Sequence, residues 1–88
     1  MTYKHYFCRL VAQHGEKITY RFCPDSILME EWGTMTVNTQ TWNFVIDEYV
    51  PGDRSKENQK ICATSLVRAI KTKFLTDGVA PEEASFFA

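Results

Sequence analysis

Three cysteines and two histidines are the residues of this 88-residue sequence that most readily bind a metal or attack a substrate. They are His5, Cys8, His14, Cys23 and Cys62. A structural metal site needs several such ligands converging on one point, and a Cys-x-x-Cys pair is its usual sign. No such pair occurs, and an odd spacing would turn His5 and Cys8 to opposite faces of a regular strand. We therefore predict no metal site.

Nucleophilic catalysis requires a cysteine or serine beside an oriented base. Cys62 lies on the flank of a predicted helix's apolar stripe, where a buried thiol is usually inert. His14 lies in or beside a predicted hairpin turn, where a histidine is normally solvated. The spacing indicates no nucleophile–base pair, so we predict a non-enzymatic protein that uses no cofactor.

The acidic residues and the glycines do not indicate a catalytic or phosphate-binding site. Glu30 and Glu31 are adjacent, as are Asp47 and Glu48, but neighbours on a strand point to opposite faces, so neither pair forms an acid–base dyad by itself. Across two strands, acids from both pairs would form a negative patch. The four glycines are too scattered for a phosphate-binding loop or a dinucleotide fingerprint.

The composition indicates a folded domain in a reducing compartment. Hydrophobic residues make up 44% of the sequence and charged residues 24%, with a formal net charge of -1, which argues against intrinsic disorder and against general attraction to polyanions. The start of the sequence lacks the apolar run of a signal peptide, and no stretch approaches the roughly 20 apolar residues of a membrane span. An odd number of cysteines does not suit a disulfide scaffold. We expect a single cytoplasmic domain over residues 1–88, away from membranes.

Two strands joined by a turn are predicted first, over residues 3–12 and 17–22, because the second segment alternates strictly between apolar and polar types. The register of this hairpin has two solutions. A two-residue turn sets Phe22 against Arg9, whereas a three-residue loop sets Phe22 against Leu10 and keeps apolar with apolar. We favour the three-residue loop, in which Cys8 and Cys23 are not directly opposed.

Two further strands and a long helix follow. Residues 27–37 are predicted as a third strand, with a helical turn at 26–32 as the alternative, and 41–50 as a fourth strand. Ser55 is a suitable N-cap for a helix that ends near Asp77. The apolar stripe of this helix contains Ala63, Leu66, Val67, Ile70 and Phe74.

The segment after the helix is expected to dock on the rest of the protein. Gly78 suits the left-handed position that ends a helix, and Val79 would pack back against it. Pro81, Glu82 and Glu83 favour the first turn of a short terminal helix. The predicted fold class is α+β: a four-stranded antiparallel sheet followed by one long helix packed on one face (ββββα), and a short C-terminal helix or tail.

The long helix carries the strongest local charge. Between residues 54 and 73, six basic residues stand against one acid, Glu57. Lys60, Arg68 and Lys71 fall along one side of the apolar stripe, where they form a possible anion contact. A solvated face that complements the helix dipole, or contact with an acidic protein, would account for the same charges. No aromatic residues are interleaved with these basic ones, as a nucleic-acid stacking platform would require.

The predicted sheet has more apolar surface than one helix can cover. Apolar residues expected on its second face are Tyr3, Phe7, Val11, Val45 and Tyr49. A contiguous apolar patch in water is an association site, so either the C-terminal tail or another chain must cover it. We predict a protein-interaction module that forms a homodimer through this face or through a sheet edge.

Two alternative functions stay open. One is a nucleic-acid accessory protein that uses the basic stripe, and the other is a small enzyme whose site is shared between subunits. Trp32 and Trp42 are predicted to lie in the core, with an interface anchor as the alternative.

Overall fold

The structure, a computed structural model, describes residues 5–24, 32–51 and 56–87. Its elements in chain order are β1 His5–His14, β2 Lys17–Cys23, β3 Gly33–Asn38, β4 Phe44–Glu48, α1 Lys56–Asp77 and β5 Glu83–Phe87. The five strands form one sheet in the order β4-β3-β2-β1-β5, and every neighbouring pair is antiparallel. The predicted α+β class, with an antiparallel sheet and one long helix, is confirmed. Within the described ranges, no helix is long and apolar enough to cross a membrane.

The core lies between α1 and the face of the sheet that this helix covers. The predicted alternation of β2 is confirmed, because its apolar residues are fully buried while Lys17 and Arg21 are exposed and Thr19 is half-buried. The buried members of this core are Tyr6, Cys8, Ile18, Tyr20, Phe22, Met35, Val37, Val50, Cys62, Ala63, Leu66, Val67, Ile70 and Ala84. We call the opposite side of the sheet the open face.

Gly33 permits the close approach of β3 to its neighbours. It pairs with Phe22, and a Cβ at this position would lie 2.5 Å from the ring carbon Cζ of Phe22 and 2.7 Å from the carbonyl oxygen of Glu48. Because the carbonyl belongs to the backbone, a side chain here would have to displace a strand. Glycine is therefore required at this point by packing.

The β1–β2 hairpin differs from the predicted three-residue loop. A two-residue turn joins His14 to Lys17, and Gly15 has a φ of 61°, as the first central position of a type II′ turn requires. The register then shifts between Leu10 and Ala12, which leaves Val11 as a bulge. This extra residue sets Leu10 against Tyr20 and Cys8 against Phe22, so apolar residues still pair with one another, but the predicted pair of Leu10 with Phe22 does not form.

The same bulge decides the positions of two cysteines. Cys8 pairs with Phe22, and Phe7 pairs with Cys23. The expectation that Cys8 and Cys23 are not directly opposed is confirmed, although for a different reason from the one proposed. Beyond the bulge, Ala12 pairs with Thr19 and therefore lies on the open face. Strict alternation along β1 would place it on the same face as Cys8.

The helix α1 follows its predicted pattern closely. The predicted stripe is buried apart from Phe74, which is half-buried, and Gln59 and Cys62 are buried with it. Gly78 has a φ of 78° and donates its backbone N–H to the carbonyl of Phe74 at 2.7 Å, which ends the helix in a left-handed cap. Val79 does not pack back, because 65% of its surface is exposed. The predicted N-cap, Ser55, lies outside the described residues.

The segment after α1 is a strand, so the predicted short terminal helix is wrong. The phenol of Tyr20 donates to the carbonyl of Pro81 at 2.6 Å, and the N–H of Leu10 donates to the carbonyl of Glu82 at 2.7 Å. These bonds align the chain with the free edge of β1, where Ala84 is buried and Phe86 stacks on Tyr6 with ring centroids 6.3 Å apart. Pairing with an existing strand outweighs capping signals, because a helix of a few residues is unstable on its own.

The third and fourth strands are shorter than predicted. Of residues 27–37, the structure describes 32–37, and both the start of that predicted strand and the alternative turn at 26–32 fall mostly outside the described residues. Residues 41–43 precede β4 as a turn and a link, in which Trp42 has a positive φ of 62°. This conformation directs Trp42 to the helix, where its ring meets that of Phe74 edge-on at 5.4 Å.

Candidate interaction surface

Three of the five predicted interface residues lie on the open face. Val11 and Val45 are exposed over 55% and 63% of their surface, and Phe7 is half-buried. Tyr3 lies outside the described residues. The open face therefore does carry apolar side chains that α1 does not cover.

Tyr49 does not lie with these residues. The register of β4 shifts between its pairings with Thr34 and Met35, which leaves Asp47 as an extra residue. After this bulge the alternation changes face, and the ring of Tyr49 lies 5.2 Å from the ammonium of Lys56, the first residue of α1. The prediction of Tyr49 on the second face assumed unbroken alternation and is wrong for that reason.

The apolar side chains of the open face do not form one continuous patch. The strand pairings place Thr19 and Thr36 between the bulge at Val11 and the exposed Val45. The two threonine hydroxyls are 3.3 Å apart, and Thr36 also donates to a carboxylate oxygen of Asp47. The open face is thus mixed in character, and the predicted continuous apolar surface is not found within the described residues. The C-terminal segment does not cover it, since β5 extends the sheet sideways.

An arginine–aromatic cluster, formed by Phe7, Arg9, Arg21 and Trp32, occupies one end of the open face. The rings of Phe7 and Trp32 meet edge-on at 6.1 Å. The guanidinium of Arg9 lies 5.6 Å from the centre of the Phe7 ring, and that of Arg21 lies 5.1 Å from the centre of the Trp32 ring. Trp32 is half-buried here and lies outside the core formed with α1, contrary to the core position predicted for it.

A charged row crosses the open face and includes the two arginines of this cluster. Successive pairings between strands join Glu83 to Arg9, Arg9 to Arg21, Arg21 to Thr34 and Thr34 to Glu48. Like charges directly opposite each other on a sheet are destabilising. The Arg9 repulsion is relieved by Glu83, whose carboxylate accepts from Nε and Nη2 of Arg9 at 3.2 and 3.0 Å. Because both side chains are more than half exposed, this ion pair contributes about 1 kcal/mol or less.

The predicted anion-contact residues lie on the outer side of α1, and all three are exposed. Lys60 lines a shallow groove against β4, together with Thr64 and Tyr49. The ammonium of Lys71 lies 5.9 Å from the centre of the Trp42 ring. Lys60 and Lys71 therefore belong to the flank of α1 beside β4, whereas no contact that the structure describes ties Arg68 to this strand.

The cysteines and histidines singled out in the sequence differ in their exposure. Cys8, Cys23 and Cys62 are buried and form no disulfide within the described residues, and His14 is exposed at the hairpin. Burial raises the pKa of Cys8 to about 12, against smaller lowering effects from the backbone of Ala84 and from Lys73. Such a thiol stays protonated at neutral pH and is a poor nucleophile. No three His, Cys, Asp or Glu side chains in the described residues are grouped to hold a metal ion.

Sequence reasoning missed the pairing of Arg21 with Trp32. The alternation of β2 does place Arg21 on the polar side of the strand, so the position of the arginine in this contact was predicted. The position of Trp32, one residue before β3, depends on where that strand begins. The sequence left this start open between a strand over residues 27–37, with or without a break near Gly33, and a helical turn at 26–32. No local signal placed its ring over Arg21.

Comparison with known proteins gives no relative from which a function could be transferred. No protein family matches the sequence, and neither a curated protein nor a solved structure is significantly similar to it. Function is therefore inferred from the surfaces of this chain alone.

Proposed function

We propose that this chain is a non-enzymatic protein-binding domain that pairs with a second copy of itself through the open face. The observation that carries this proposal concerns two strands, β1 and β4, that lie on either side of the middle of the open face. Each strand carries one exposed valine, and the two strands carry opposite charges. Val11 and Arg9 lie on β1, while Val45 and Glu48 lie on β4. Such a surface is complementary to itself.

A two-fold axis parallel to the strands, between β2 and β3, gives the pairing. It places β1 of one copy over β4 of the other, so that each Val11 meets the second copy's valine at position 45. The same operation sets each Arg9 against the glutamate at position 48 across the interface. Every contact then occurs twice, as in all isologous dimers, and the two sheets pack face to face about 10 Å apart.

The composition of the open face also fits an interface. Arginine and tryptophan are enriched among the residues that contribute most to binding, and the arginine–aromatic cluster holds both types. Its guanidinium groups are already held against rings, which lowers the entropy cost of fixing them on association.

The size of the face sets the expected strength. Five strands span only about 19 Å, at roughly 4.8 Å between neighbours, so the interface falls at the small end of the range for specific complexes. We expect a dissociation constant in the micromolar range, on the order of 1 to 100 μM. Dimerisation should therefore be sought over a wide range of protein concentration.

The experiment is a charge exchange followed by sedimentation velocity. Arg9→Glu and Glu48→Arg each place like charges across the interface and should weaken the dimer about tenfold. Combining both substitutions in one chain restores opposite charges and should recover most of the affinity. Glu83→Gln is the matched control, because it breaks the intramolecular partner of Arg9 and leaves the proposed contact intact.

Two results would contradict the proposal. One is a wild-type protein that stays monomeric up to about 1 mM, well above the expected dissociation constant. The other is a double variant that associates no better than either single variant. Circular dichroism of every variant shows whether the fold is retained.

A further inference from the structure

The outer edge of β4 is a second surface, distinct from the open face. Sheet order places β4 at one end of the sheet, paired with β3 on its inner side. Asn38 donates its N–H to the carbonyl of Asn43 at 2.9 Å. Along an antiparallel strand, successive residues alternately direct their N–H and C=O groups toward the neighbouring strand and away from it. Since Asn43 directs its carbonyl toward β3, the groups of Phe44 and Ile46 point away from β3. These groups are positioned to pair with an added strand.

A groove runs along this edge on the helix side. It has a volume of about 430 Å³, and its walls are Phe44, Val45, Ile46, Tyr49, Lys60 and Thr64. The groove exists because α1 lies mostly over β5 and β1 and less over β4. Alternate side chains of an added strand would enter it, since successive residues of a strand point to opposite faces.

Positive charge lines the helix side of the groove. Lys60 forms part of its wall, Lys56 lies over the ring of Tyr49, and Lys71 lies over the ring of Trp42. The acids of α1 are confined to the two ends of the helix as the structure describes it, at positions 57 and 77. Since rings hold the ammonium groups of Lys56 and Lys71 close to β4, a strand with acidic residues at alternate positions would be attracted to this edge.

A second copy of the chain fits this edge poorly. Two β4 strands pairing about a two-fold axis perpendicular to the sheet would keep both helices on the same side. The flanks with Lys60 and Lys71 would then face each other, and like charges placed together disfavour such a complex. Charge therefore favours an acidic partner over self-pairing here.

We propose that the edge of β4 binds an extended acidic peptide segment by strand addition. Main-chain hydrogen bonds to Phe44 and Ile46 hold the segment, and its acidic side chains lie along Lys56, Lys60 and Lys71. The groove shares Val45 with the open face, but the outward main-chain groups of Phe44 and Ile46 and the lysines of α1 take no part in the proposed dimer, so peptide binding is tested independently of self-association.

The test titrates the protein with a seven-residue blocked peptide in which glutamate alternates with valine. Amide chemical shifts locate the binding site, and fluorescence anisotropy of the labelled peptide gives the affinity. We expect shifts centred on Phe44–Glu48 and binding that weakens as salt rises. Lys60→Glu combined with Lys71→Glu should weaken binding about tenfold. Lys73→Glu, on the opposite flank of α1, is the matched control and should change it little.

Two further peptides separate charge from backbone pairing. A peptide with lysine in place of glutamate should bind much more weakly. The glutamate peptide with every backbone nitrogen methylated should lose binding, because it cannot donate to the strand edge.

Four outcomes of the peptide titrations would overturn the proposal: no binding at millimolar peptide, equal binding of the lysine peptide, shifts centred elsewhere than β4, or full binding of the methylated peptide. Preferential binding of an oligothymidylate that the lysine reversals abolish would assign the flank to nucleic acid and also overturn it. If the amide shifts of Phe44–Glu48 change with protein concentration in the absence of peptide, the edge of β4 binds a second copy of the chain, and the proposal is overturned.

Discussion

At the scale of single residues, Cys8 shows how burial controls side-chain chemistry. Its thiol has no exposed surface, and burial raises its pKa to about 12. Burial also raises the pKa of Tyr20, whose phenol donates to Pro81. In both cases the folded protein holds its proton more tightly than the unfolded chain does.

This difference predicts a loss of stability in alkali. Because the folded pKa of Cys8 lies above its ordinary value of 9.0, its contribution is complete below pH 9 and is lost as pH rises toward the folded pKa. Between about pH 9 and 10, the free energy of unfolding should approach a fall of roughly 1.4 kcal/mol per pH unit from this group. Urea unfolding at a series of pH values measures it.

The control separates this titration from loss of packing. Cys8→Ala should flatten the alkaline slope although it lowers stability at neutral pH. Val37→Ala also removes buried volume, but it carries no proton and should keep the slope of the wild type. An equal slope in the Cys8→Ala protein would show that this thiol does not control the alkaline response.

Two bulge residues, Val11 and Asp47, explain why the sequence predicted the faces of some strand residues and not of others. Strict alternation placed Arg9, Arg21 and the apolar residues of β2 on their observed faces. Val11 and Asp47 are extra residues within β1 and β4, and they shift the residues beyond them to another face. A bulge depends on pairing between strands, so the residue pattern of one strand does not reveal it.

At the scale of elements, Gln59 joins α1 to the end of β4. Only 1% of its surface is exposed. The N–H of Val50 donates to its Oε1 at 2.7 Å, and its Nε2 donates to the carbonyl of Val50 at 3.2 Å. A single buried amide thus satisfies both backbone groups of a residue just beyond the edge strand. Sequence periodicity did not single out this polar residue within the apolar stripe.

Replacement of this amide should be costly. Gln59→Leu keeps a similar volume but leaves both backbone groups of Val50 without the amide, and we expect a loss of about 2 to 4 kcal/mol in the free energy of unfolding. Gln40→Leu, the same substitution at an exposed turn, should change stability by less than about 0.5 kcal/mol. Chemical denaturation compares the two, and equal stability of both variants would remove the role assigned to Gln59.

The secondary structure of the C-terminal segment is also decided at the scale of elements. The segment docks on the protein as predicted, whereas Pro81 and the acids after it indicated a helix. The observed strand arises because β1 presents a free edge to it, and a local pattern carries no information about that edge. Long-range pairing therefore decided the element that the sequence left ambiguous.

At the scale of the whole molecule, the sheet has two different faces. One is covered by α1 except along β4, and the other combines exposed valines, paired threonines and a charged row. This arrangement is less apolar than the composition of the strands predicted, yet its charges and valines match those of a second copy after rotation. Self-association through the open face is therefore the central claim.

Mixed isotope labelling tests that claim most directly. A sample at about 1 mM, well above the expected dissociation constant, would contain equal amounts of labelled and unlabelled protein, and filtered nuclear Overhauser spectra would report only contacts between copies. We expect contacts between the methyl groups of Val11 on one copy and Val45 on the other. Contacts confined to the edge strands, or a spectrum without contacts between copies, would contradict self-association through the open face.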